Sequence, residues 1–521
     1  MTVVRSLHIC CLLTGTLCFT ATSERSVHAT TLEATLKEQI VLLAIDNQSL
    51  PLQDNLCLYL SQPSVRLEPV LRPESEDSAA PDQLAAHFYG TVLHDGGKFR
   101  MWYYGAHRAG GRWKVKGQTC YAESEDGIHW RKPKLGQLDL NGSTQNNGIA
   151  LVGEDTQGVM VILDESDPGP ARRYKMVVQY MPRDYPTLKT AFSADGINWT
   201  LGNDLPAREF REHSSFFKHN GRYIVCGHTP SNGESGSSRG RQGFAWVSPD
   251  FDHWPIEQVD SFLLREPHPA RGDRWGQKFD QVHLGVGAAS FGHVAVGLYG
   301  LWHQIGWGEG GTTCDFGLVV SNDGMHFREP VSGRVYMKSD EAPAPSPPGK
   351  QFPTLLCQGN GILNVGDETR IYYGRWRNSE WPLEGDGSNY YADIGLATLP
   401  RDRWGALGLV PDASEGAVWS APIKLPERGC EISLNADGAE AMRVEVSDEN
   451  FQMLPQFSGT NAGSCEQQNG LHCAVRWPAG KLDDLADRTV CLRVQLKKES
   501  AEPKLFAIYV SNHSNATKPE D

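Results

Sequence analysis

No two cysteines in this 521-residue chain are spaced C-x-x-C, so the commonest pattern of a structural zinc site is missing. Beyond the first twenty or so residues, no apolar run is long enough to cross a bilayer as a helix. An excess of basic residues is missing too: 49 Lys and Arg stand against 63 Asp and Glu, a net charge of -14. That balance argues against nucleic acid or an anionic membrane as a partner. The remaining composition, 39% hydrophobic with 54 Gly and 14 Trp, is that of a globular protein. The length allows two or three domains.

The N-terminus has the pattern of an export signal. Arg5 supplies a positive start, a mainly apolar run follows from Leu7 to Thr20, and Val27-His28-Ala29 offers small residues at -3 and -1 of a cleavage site. Residues 1–29 are therefore expected to be removed, leaving a secreted or periplasmic protein. Of the 12 cysteines, Cys10, Cys11 and Cys18 lie in that segment. Cys120, Cys226, Cys314 and Cys357 fall in predicted strands, as buried small hydrophobes. Cys465 and Cys473 are near enough to close a short loop under oxidising conditions.

What the chain does have is a repeat. YAESEDGIHW (Tyr121 to Trp130), AFSADGINW (Ala191 to Trp199), WVSPDFDHW (Trp246 to Trp254) and VVSNDGMHF (Val319 to Phe327) share one pattern of Ser, Asp, turn and aromatic. Each follows two short apolar runs joined by a tight turn, as in FYGTVLHDGGKFRMWYYG (Phe88 to Gly105). A fifth unit, DETRIYYGRW then YYADIGLAT (Asp367 to Trp376, Tyr390 to Thr398), has lost the Asp-Gly turn. Asp-Gly between β-rich runs is hairpin chemistry, because Gly takes a positive φ without a Cβ clash. Four antiparallel strands per unit is the blade of a β-propeller. Asp126, Asp195 and Asp323 are thus expected to bond within turns rather than to do chemistry.

After residue 415 the pattern changes to short half-buried alternations such as AMRVEVSD (Ala441 to Asp448) and TVCLRVQLK (Thr489 to Lys497). These predict a β-sandwich. The expected fold is all-β: a five-bladed β-propeller over 86–414 and a C-terminal β-sandwich over 415–515. Residues 30–85 are expected as an N-terminal entry segment packed on the propeller.

An export signal, five such units and a sandwich resemble the secreted glycoside hydrolases of families 32 and 68 and their relatives in families 43 and 130. The strongest local match, FYGTVLHDGGKFRMWYYG with CYAESEDGIHWRKPKLG, resembles bacterial secreted proteins described as family-32 N-terminal-like. The resemblance implies a carbohydrate substrate and carboxylates at the inner-strand ends of early blades. It also marks a departure, since His87 stands where family 32 places its nucleophilic Asp. Glu212, before the third inner strand, matches the family's general acid and is the expected proton donor. Asp280, in KFDQVHLG, is the expected base or nucleophile. His87, Asp155, His213, His283, Trp302 and Arg377 are expected substrate contacts, with Trp302 as a stacking platform and Arg377 as an anion binder. No metal and no cofactor are expected. The alternatives are a glycan-binding propeller without catalysis, and a metal site built from His87, His213 and His283. The oligomeric state has no sequence signal.

Overall fold

The computed structural model describes residues 32–33, 39–75, 78–109, 115–151, 155–181, 187–206, 212–228, 241–264, 279–304, 312–345, 352–377, 390–499 and 502–512. The expected export signal at 1–29 lies outside them. Among the described residues the protein is all-β; the remaining regular structure is short 3-10 turns. No helix there is long and apolar enough to cross a membrane.

Each sequence repeat folds into an antiparallel meander. The first is Ala85–Asp95, Lys98–Arg108 and Val115–Ser124. The second is Asp155–Leu163, Tyr174–Met181, Thr187–Ser193 and Thr200–Asp204. The third runs Glu212–His219, Arg222–His228, Gly243–Ser248 and Val259–Phe262. The fourth runs Phe279–Phe291, Val294–Gln304, Thr313–Ser321 and Val335–Met337. In the fifth, Leu355–Cys357 and Ile362–Val365 both pair with Glu368–Arg377, which pairs with Tyr391–Pro400. The outer strand of this last meander is Ser64–Val65, from near the start of the chain.

The repeated turn joins the meanders. In the second, Ser193 Oγ accepts from the Gly196 amide at 2.9 Å, and Asp195 Oδ1 accepts from the amides of Ile197 and Asn198 at 2.9 and 2.8 Å. The same bonds recur at Ser124 and Asp126 and at Ser321 and Asp323. This leaves turn carbonyls facing the neighbouring meander. Trp102 of the first meander donates to Gly196 O at 2.7 Å. His219 of the third bonds Asn322 O at 3.2 Å. Arg172 of the second pairs with Asp252 of the third at 2.7 Å. Tyr372 of the fifth donates to Gly127 O of the first at 2.9 Å. So the second turn docks on the first meander, the third on the second, the fourth on the third and the first on the fifth. These aspartates are structural, as their spacing predicted.

The inner strand of every meander slips register at a similar level. The shifts fall between His87 and Thr91, Thr156 and Val159, His213 and Ser215, His283 and Val286, and Cys357 and Ile362. A bulge bends its strand and re-aims the side chains beside it. In the fourth meander it needs left-handed backbone, with Leu284 at φ 56° and Gly285 at φ 96°. Below the bulges the inner strands are stitched together by Gln358 and Asn360. Asn360 exchanges backbone bonds with Gly90 and Val92 at 2.9 and 3.0 Å. Its side chain bonds Phe216 N and O at 3.0 and 2.6 Å, and Val161 O at 3.3 Å. Gln358 donates to Gly285 O at 2.8 Å. Two residues of the last meander thus reach the inner strands of the other four.

The C-terminal part is two facing sheets sharing one core, with Ile432, Leu434 and Val510 from one and Val444, Val446 and Leu492 from the other. Part of the segment expected as an entry instead supplies strands here. Ile40–Leu43 pairs with Lys504–Asn512, Leu52–Asp54 with Glu415–Trp419, and Leu56–Leu60 with Gly405–Leu409. All four residues of Ile40–Leu43 are buried because both faces are covered. Ile40 and Leu42 enter the sandwich core, while Val41 and Leu43 pack with Val296, Leu318 and Tyr373 of the fourth and fifth meanders. Alternation along a strand puts consecutive side chains on opposite faces.

Candidate active site

An inner strand begins at the same end of its hairpin as the second strand finishes, so both contribute to one edge. The register places Ala85 opposite Ala106, Asp155 opposite Met181, Glu212 opposite His228, His283 opposite Gly300 and Leu355 opposite Trp376. Residues far apart in sequence meet there.

Their common ground is an aromatic cluster around His87. Its ring stacks on Tyr89 at 4.6 Å and Tyr104 at 5.6 Å, and meets Trp376 edge-on at 5.0 Å. Tyr89 and Tyr104 are parallel to within 1°, 6.2 Å apart. His283 stacks on Trp302 at 4.6 Å, and Trp302 lies 6.4 Å from Trp376. Such rings give broad apolar faces with polar edges. His87 is fully buried and neither ring nitrogen has a hydrogen-bond partner among the described residues. Burial pulls its pKa down to about 3 and takes that of His283 well below the usual range. Both are neutral rings near pH 7. The indole N–H groups of Trp302 and Trp376 also lack partners among the described residues.

Two carboxylates flank this cluster with opposite proton affinities. Asp155 begins the second inner strand, and its Oδ1 accepts from the Gly117 amide. Burial outweighs that bond and the nearby Lys116 charge, raising the Asp155 carboxyl to about 6. Its charge acts on Tyr104 and Tyr390, which share a hydrogen bond. Glu212 begins the third inner strand. Burial also works to raise it, but a 2.6 Å bond from His228 Nε2 and the charges of His228 and Arg241 win, and the carboxyl sits at about 2. Its charge acts on Tyr89. One group keeps a proton up to about pH 6; the other gives its proton up well below the usual carboxylate range. Environments that drive two acids apart in this way are how acid and base roles are divided.

The other expected residues are placed as follows. His213 follows Glu212, on the opposite strand face; its Nε2 lies 3.0 Å from Val177 O, and a Cβ on Gly158 would come within 2.7 Å of its ring. It is wedged between the second and third inner strands. Arg377 follows Trp376 and likewise turns away, donating to Ala344 O. The backbone of Asp280 pairs with His303; its side chain lies outside the described residues. Among the described residues no three His, Cys, Asp or Glu side chains converge closely enough to hold a metal ion. Cys465 and Cys473 are free thiols, Cys465 Sγ donating to Cys473 O at 3.5 Å.

Tyr89, Tyr104, Trp376, Tyr390 and His228 were not singled out from the sequence. Tyr89 carries a readable signal, two residues beyond His87 and so on one strand face. His228 does not. Counting outward from the Asn220-Gly221 turn pairs Glu212 with Thr229, and the one-residue bulge at Ser214 shifts the partner to His228.

No family model matches the chain, and no curated protein matches it. Solved structures do. One, from work on the family-130 mannoside phosphorylases and their glycoside hydrolases that target beta-1,2 mannosidic linkages in Candida mannan, is 15% identical over 66% of this chain and 94% of that one, with a TM-score of 0.41. A glycosyl hydrolase from Bacteroides ovatus is 16% identical over 66% and 95%, TM-score 0.42. An N-acetylgalactosamine deacetylase from F. plautii, in complex with blood group B trisaccharide, is 12% identical over 67% and 96%, TM-score 0.42.

Proposed function

We propose that this protein is a glycoside hydrolase-like enzyme that cleaves a poly- or oligosaccharide at the bulged ends of its inner strands. The carrying observation is the pair Asp155 and Glu212, on neighbouring inner strands and flanking one aromatic cluster, with one carboxyl raised to about 6 and the other lowered to about 2. Glycosidic cleavage asks for both states at once: an acid that still holds a proton for the leaving oxygen, and a carboxylate that attacks the anomeric carbon or activates water. Asp155 is the proton donor. Glu212 is the carboxylate. This moves the donor role from Glu212, because the bond from His228 favours its charged form. Tyr89, Tyr104, Trp302 and Trp376 are the platform against which a sugar stacks.

The meanders are the blades of a five-bladed propeller. Support comes from the circular docking of the turns and from Ser64–Val65, which completes the last sheet. Residues 1–29 are an export signal and the site of action is outside the cytoplasm; N-terminal sequencing of the mature protein starting at Thr30 tests this.

The decisive experiment measures new reducing ends from a panel of polysaccharides with wild type, Glu212→Gln, Asp155→Asn and Asp280→Asn. Loss in the first two, with Asp155→Asn rescued on an aryl glycoside whose leaving group needs no protonation, supports the assignment. Full activity of Asp155→Asn, or rescue of Asp280→Asn in its place, overturns it. Wild type that binds glycans without releasing reducing ends leaves glycan capture as the function.

A further inference from the structure

We propose that His228 is a positioning residue that holds Glu212 ionised and fixed in direction, and so sets the low-pH edge of the site's activity. The inference rests on the reading of Glu212 as the reacting carboxylate. His228 closes the second strand of the third meander directly opposite Glu212, and its Nε2–H donates to Glu212 Oε2 at 2.6 Å. Its side chain is 1% exposed against 20% for Glu212. The glutamate therefore keeps some contact with solvent, and the histidine has almost none. The fourth inner strand packs closely on the backbone just before His228: a Cβ on Gly285 would strike the Gly227 carbonyl, so the backbone that carries the imidazole is held in place.

Among the described residues, four groups from four segments face Glu212. His228 comes from its own hairpin, Arg241 from just before the third strand, His283 from the fourth meander and Tyr89 from the first. His283 is packed as a neutral ring on Trp302, and Tyr89 is a phenol well above its usual pKa. The charge-assisted bond from His228 is short and enclosed, and such bonds are about twice as strong as neutral ones. Removing it leaves a buried carboxylate with less to hold it ionised, and burial then drives proton uptake.

The test follows the Glu212 carboxyl by carbon-13 NMR in wild type and His228→Gln, beside kcat/KM from pH 3 to 8. The variant is expected to titrate at least one pH unit higher, and its kcat/KM at pH 3 to fall about twofold or more further from the pH 6 value than wild type. Unchanged titration, or a loss equal at every pH, overturns the proposal and leaves His228 as packing. Should His228→Gln fail to fold, Glu212→Gln gives the reciprocal readout. The His228 imidazole then titrates lower than in wild type if the two are coupled, and at the same pH if they are not. A shifted Glu212 titration in a protein that hydrolyses no glycan separates the outcomes: the coupling stands and the hydrolase reading fails.

Discussion

The meanders carry two kinds of aspartate, which differ in how far their charge is paired. Asp126, Asp195 and Asp323, in the connecting turns, each take two backbone amides and two side-chain donors on their oxygens, and all three are more acidic than usual, Asp195 and Asp323 at about 2. Asp155, at the bulged end, has one amide donor, more burial, and a pKa of about 6. One residue type is thus a cross-brace where its charge is satisfied and a proton store where it is not. Paired carboxylates serve the fold; an under-paired one held in an aromatic setting is a candidate for chemistry.

The largest effect that would sharpen this contrast is on turnover. If Glu212 is the reacting carboxylate proposed above, Glu212→Gln should lower kcat by about a thousandfold or more with unchanged circular dichroism. Asp155→Asn should cut activity on natural glycans to a similar degree. It should also stabilise the protein at pH 7 by about 1–3 kcal/mol in urea unfolding. Because Asp155 has a folded pKa above its unfolded one, the folded state binds the proton more tightly. Stability therefore falls as pH rises from about 4 through about 6, and the neutral amide escapes that loss. The same titration should make kcat/KM decline above pH 6 as the donor loses its proton.

Asn360→Ala should cost about 2–4 kcal/mol, because it leaves the amide and carbonyl of Phe216 and the carbonyl of Val161 without that partner in the interior. The smallest effect belongs to the turns. Asp195→Ala should lower stability by about 1 kcal/mol in the same unfolding assay and leave kcat unchanged. A tenfold fall in kcat there would erase the distinction between the two aspartates.

The meanders were legible because Ser-x-Asp-Gly turns and period-two apolar runs are local signals. Glu212, Asp155 and His283 could be singled out because inner strands begin at repeat boundaries, and Trp302 because it lies near the end of a second strand. Their environments were not legible. A carboxyl raised to about 6 or lowered to about 2 depends on which side chains cross from other strands, and each inner strand slips by one or two residues before reaching that level. His228 was hidden by such a slip. Arg377 looked like an anion binder from its place at the end of a second strand, yet it faces away from its neighbour Trp376 and donates to Ala344 O. The strands at 40–60 were weakly patterned because Ile40–Leu43 is buried on both faces and shows no alternation.

The return of the early chain has a kinetic consequence. Ser64–Val65 pairs with Thr398 and Ala397, and Ile40–Leu43 with residues up to Val510. Ser64–Val65 cannot find its partners until synthesis has passed Thr398, nor Ile40–Leu43 until it has passed Val510. Contacts of such long sequence separation slow folding. Refolding from denaturant should therefore be slow, with the closing strand among the last parts of the molecule to gain amide protection.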